Sequence, residues 1–161
     1  MKKLILLVVI TNLILGCSNT KNNELSNFEK IHLNSSEAMY SQNENYILAK
    51  GYENTNDRLY IEHVIKAAEE GDPIAQNELA NNYAFGEKVE HNSELFVLWA
   101  ERSALQGYTI AQLNLGTAYY LGVNGLNKDN IQAKKWLSMA AQNGDETAKQ
   151  YLSEIETVDI P

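Results

Sequence analysis

The sequence predicts an all-α chain: an α-solenoid of antiparallel helix pairs closed by a C-terminal capping helix. Three observations predict it. Ala75, Leu79, Tyr83 and Gly86 recur as Ala111, Leu115, Tyr119 and Gly122, each pair 36 positions apart. Trp99, Ala104 and Gly107 recur as Trp136, Ala141 and Gly144 at 37. Between these marks the apolar residues fall at helical spacing. A period of this length built from helical segments is that of a solenoid, in which no unit buries its apolar face alone. The single extra residue of the longer interval falls between Gly122 and Trp136. Turns absorb insertions, so it locates one within Val123-Asn124-Gly125.

In chain order, residues 1–16 have the form of a signal peptide. Lys2-Lys3 is followed by the apolar run Leu4 to Ile10, a polar Thr11-Asn12 interruption, then Leu13-Ile14-Leu15-Gly16. The run is too short and interrupted for a membrane span. Cys17 is the only cysteine, so one chain forms no disulfide framework and no thiolate zinc site. Residues 17–36 then read as a tether, rich in Asn and Ser, with a root-mean-square reach of about 25 Å. Leu25, Phe28, Ile31 and Leu33 offer an alternative, a weak helix face that would dock part of the tether on the first helices.

The solenoid is expected over 37–156, in units 37–71, 72–107 and 108–144, with the cap at 145–156. Glu37 to Lys50 has an uneven pattern of Ala38, Tyr40, Tyr46, Ile47 and Leu48, a worn first helix. Arg58 to Glu70 is firmer, with Ala68 and Gly71 each 36 before Ala104 and Gly107. Helices follow at Asp72 to Phe85, Ser93 to Gln106, Thr109 to Leu121 and Asn130 to Asn143. Asp72-Pro73 and Asp145 suit helix starts, and Gly71, Gly107 and Gly144 suit the stops. Glu146 to Glu156 places Ala148 and Leu152 in register with Ala111 and Leu115. Its Lys149, Gln150, Ser153, Glu154 and Glu156 give the polar outer face that a solenoid end requires.

The repeat itself resembles a known family. Ala111-Gln112, Leu115-Gly116, Tyr119, Gly122, Asp129, Ala133, Trp136, Ala140-Ala141 and Gly144 resemble the Sel-one-like repeat, a relative of the tetratricopeptide repeat. The preceding unit departs from it at Ala80, Asn92 and Phe96, where the pattern has Gly, Asp and Ala. Ile14-Leu15-Gly16-Cys17 resembles a bacterial lipobox, which implies cleavage before Cys17, lipidation of Cys17 and, with Ser18 next, the outer membrane facing the periplasm. Loss of Lys2 and Lys3 would take the formal charge from −8 to −10. That acidity argues against a nucleic-acid partner.

Candidate partner-binding residues come from a surplus of apolar surface. In helix 109–121, Ala111, Leu115 and Tyr119 form one stripe, and Ile110, Leu113, Thr117 and Tyr120 form another nearly opposite. A helix apolar on both sides is sandwiched or offers one side to something else. In tetratricopeptide-like solenoids the first helix of each pair lines the concave face, and the second stripe matches its ligand-facing positions. The corresponding set one unit earlier is Ile74, Asn77, Asn81 and Ala84, with Phe85 beside it. The competing expectation is that Ile74, Ile110 and Leu113 fill the seam between helix pairs. Trp99 and Trp136 recur on the packing helix and are assigned to the core.

Nothing points to catalysis. His32, His63 and His91 lack metal spacing, and no phosphate loop, nucleophile elbow or cysteine nucleophile is present in the folded part. Val123 to Asp129 is too poor in carboxylates for calcium. The expectation is therefore a non-enzyme with no metal and no cofactor: an envelope-anchored lipoprotein that binds a protein. The resemblance implies one version, an immunity protein neutralising a secreted toxin such as a lipase. The alternatives are an envelope scaffold or adaptor and a cell-wall or β-lactam hydrolase.

Overall fold

The computed structural model describes residues 41–158. The expected signal, the lipidation site Cys17 and the tether lie outside the described residues. Seven helices follow one another: α1 Glu44–Tyr52, α2 Asp57–Glu69, α3 Pro73–Phe85, α4 Ser93–Leu105, α5 Thr109–Leu121, α6 Asn130–Gln142 and α7 Glu146–Val158. Each packs against the next, and α7 touches both α6 and α5. The described residues contain no strand.

Side chains with a free acceptor start most helices. Asn43, Asn56, Asp72, Asn92 and Asp129 each accept from a backbone amide two or three residues on. Asp145 does the same for Ala148 at 2.8 Å. The first helix corrects the sequence expectation: it begins at Glu44 behind its Asn43 cap and runs through Gly51 to Tyr52. An asparagine side chain outcompetes the uneven apolar pattern in setting that boundary.

Unit ends repeat the same closure. Gly71, Gly107 and Gly144 have φ of 95°, 89° and 92°, a left-handed backbone that side chains disfavour. At each, the glycine amide and the next amide return to the last helical turn: Gly71 to Ala68 and Asp72 to Ala67, Gly107 to Ala104 and Tyr108 to Ser103, Gly144 to Ala141 and Asp145 to Ala140. The turns inside the units match as well, since the Asn92 amide donates to the Tyr83 carbonyl and the Asp129 amide to that of Tyr119. The extra residue is absorbed between these anchors, where Asn124 and Gly125 both take positive φ, 56° and 78°.

The core runs along the whole stack. Tyr46, Tyr60, Val64, Leu79, Phe96, Trp99, Leu115 and Trp136 are buried in one cluster. Ala133, Leu137, Ala140, Ala148 and Ile155 form a second beneath the cap, and Tyr119 packs against both. The departures at Ala80 and Phe96 belong to this packing. Unit 72–107 buries Ala80, Phe96 and Ala100 where unit 108–144 buries Gly116, Ala133 and Leu137. The bulk moves one helical turn, from Phe96 to Leu137, and unit 108–144 fills the place with smaller side chains. Asn92 keeps the capping role of Asp129.

Candidate protein-interaction surface

The eight predicted contact residues separate into a buried and an open set. Asn77 is only 7% exposed, and its Oδ1 accepts from Asn114 Nδ2 at 3.3 Å. Asn81 is half-buried and accepts from the same amide at 3.5 Å. Ala84 is buried. Leu113 packs into the cluster beneath the cap, with Tyr120 beside it. Thr117 is half-buried. Ile110 and Phe85 are open, at 44% and 66% exposed.

Two assignments are therefore corrected. Asn77 and Ala84 do not face solvent, because α3 is flanked by neighbouring units and Asn114 of α5 reaches its polar stripe. Leu113 and Tyr120 are partly covered, each packing against the cluster that α7 helps to form. The Tyr120 ring meets Tyr151 edge-on at 5.5 Å, its hydroxyl donates to Glu154 at 3.3 Å, and Lys128 lies 4.9 Å from the ring centre. Partial burial and the Glu154 carboxylate both push the Tyr120 hydroxyl above its usual pKa. The seam expectation holds for Leu113 and for Ile74, which packs on the core, and fails for Ile110.

The structure adds open residues that the stripes did not select. Leu121 and Val123 are 53% and 42% exposed. Leu121 lies 36 positions after Phe85 and ends α5 as Phe85 ends α3. Repeat spacing alone could have paired them. The turns that follow touch one another: a side chain added at Gly125 would strike Ser93 Oγ and come within 3.8 Å of His91 Cε1. Phe85, Leu121 and Val123 thus belong to one edge formed by successive turns.

Polar side chains sew the units together near the other end of α3 and α5. Gln76 Nε2 donates to the Ala68 carbonyl at 3.0 Å, and Gln112 Nε2 to that of Ala104 at 2.9 Å. Their Oε1 atoms accept from Gln106 Nε2 at 2.7 Å and from Asn143 Nδ2 at 3.0 Å. The Ala-Gln of the repeat is a joint between units. Glu78 on α3 accepts from the hydroxyls of Tyr60 and Tyr46, linking three helices. His63 stacks on Tyr52 and its Nδ1 lies 3.1 Å from Asn45 Oδ1, a packing position. Among the described residues no group of three His, Cys, Asp or Glu could hold a metal, and no helix is long and apolar enough to cross a membrane.

Stacked antiparallel helix pairs with matching joints and turns define an α-solenoid. The Sel1 repeat model matches residues 73–108 and 109–145. A Sel1 repeat protein from Oxalobacter formigenes is 32% identical, with a TM-score of 0.64 over 84% of this chain and 98% of that one. The chain belongs to the Sel1 repeat family. It is also similar to a protective antigen present in uropathogenic Escherichia coli strains that displays an SLR fold. That identity is 29% and the TM-score 0.60, over 65% of this chain and 23% of that one. No curated protein matches the chain. Sel1 repeats mediate protein–protein interaction, and this chain is a repeat protein of that kind.

Proposed function

We propose that this chain is an envelope-anchored lipoprotein whose solenoid binds a protein partner in the periplasm. The observation that carries the binding reading is the pair Phe85 and Leu121, large apolar side chains left open at the same slot of consecutive units. Burying such residues is strongly favourable, and large aromatic and aliphatic anchors dominate interface energetics. The anchor is supported by the sequence of residues 1–17, a charged and apolar leader ending at the chain's single thiol. The partner class we favour is a secreted toxin such as a lipase, with this acidic protein acting as its immunity protein. Occlusion of an active site needs only a rigid surface.

Two measurements test this. Metabolic labelling with an alkyne fatty acid should mark the protein, and Cys17→Ser should abolish the label and release the chain from membranes. Labelling that survives Cys17→Ser would remove the anchor. Affinity capture from solubilised envelopes should recover a partner that Phe85→Ala with Leu121→Ala loses. A hydrolase inhibited by the wild-type protein would support immunity, and a structural envelope protein would make the chain a scaffold.

A further inference from the structure

We infer that the turn edge of units 72–107 and 108–144 docks a basic protein segment carrying two apolar anchors spaced by one repeat unit. This rests on the partner-binding reading and adds the place and the chemistry of the partner. Phe85 and Leu121 end α3 and α5 at equivalent positions, so the two anchors must be spaced by one unit of the stack. Val123 widens the second anchor site.

The charge requirement comes from the turn between the anchors. Glu87, Glu90 and Glu94 follow Phe85 directly and are exposed. Their carboxylates make no ion pair or hydrogen bond among the described residues. Lys88, the basic residue of that turn, is turned away: its Nζ pairs with Asp57 at 2.5 Å and lies 6.0 Å from the Tyr60 ring centre. Unit 72–107 holds six acidic and two basic side chains, the same sign as the turn, whereas unit 108–144 holds one acidic and three basic, so a basic segment is drawn to the Phe85 side of the edge. An acidic partner would meet unpaired like charge, whereas Lys or Arg beside the anchors would find these carboxylates free.

The test places p-benzoylphenylalanine in the full-length protein at Phe85, Leu121, Ile110 or Thr117, one position at a time. Cells are irradiated and the linked peptide is identified by mass spectrometry. Adducts should form from positions 85 and 121, on a partner segment rich in Lys or Arg with two apolar residues. The variant Glu87→Lys, Glu90→Lys, Glu94→Lys should lower their yield about tenfold, with unchanged helical circular dichroism. Adducts from positions 110 or 117 alone would overturn this inference and leave the partner-binding reading standing. Adducts at 85 to an acidic segment, to lipid or to another copy of this chain would also overturn it. Adducts from none of the four positions would sink both.

Discussion

At Gly116, 36 positions after Ala80 in the repeat, an added Cβ would lie 2.7 Å from Leu137 Cγ and 3.0 Å from the Leu137 amide nitrogen. Alanine gains about 1 kcal/mol in helix propensity over glycine, but overpacking costs about 1–3 kcal/mol, and a backbone nitrogen cannot move aside. Gly116→Ala should therefore destabilise in urea unfolding. Leu137→Ala removes the clash with the side chain and leaves only the contact with the backbone nitrogen, so Gly116→Ala should cost less in that background; the coupling in the double-mutant cycle is the check. Tyr60 gives a second residue-scale expectation. Burial, and then the Glu78 carboxylate to which it donates, raise its hydroxyl well above the ordinary tyrosine value. A folded pKa above the unfolded one means this stabilisation is intact below about pH 10 and drains as pH rises past it. Alkaline unfolding should thus have a Tyr60 component. Tyr60→Phe should cost about 1 kcal/mol at neutral pH and flatten the decline above pH 10, read from urea midpoints across the range.

Between elements, the joints are what hold one unit to the next. Gln112→Ala removes both the bond to Ala104 and the acceptor of Asn143, and should cost about 1–2 kcal/mol by denaturant unfolding. Gln76→Ala should cost a similar amount at the preceding joint. The sequence carried Gln76 and Gln112 in its repeat pattern, yet periodicity cannot say which partner a buried amide finds, so their role was not legible. The helices from Arg58 onward were legible to within a residue or two, because caps and left-handed glycines are local chemistry. The contact face was less so. A 100° step describes α5 in isolation and correctly sets Leu113 and Tyr120 apart from Leu115, but only the tertiary position of α7 reveals that their side is occupied. Phe85 survived because it is the last residue of α3 and its side chain stays exposed there.

Over the whole molecule, stability is distributed along a line. Among the described residues each helix touches chiefly its sequence neighbours, so local damage should stay local, as in other quasi-one-dimensional stacks. Ile155 is the test, since it is fully buried on the inner face of the cap with Ala148, against Ala133, Leu137 and Ala140 of α6. Ile155→Ala should cost about 2–4 kcal/mol at that end alone. Without a firm cap, α7 should open first and expose α6. Native-state hydrogen exchange should then show loss of protection in α6 and α7, a smaller loss in α5, and none in α1 and α2, where Tyr46, Tyr60 and Val64 are untouched. An equal loss across all seven helices would mean that the stack unfolds as one block. The joints at Gln76 and Gln112 would then transmit the damage along the chain rather than merely fastening one unit to the next.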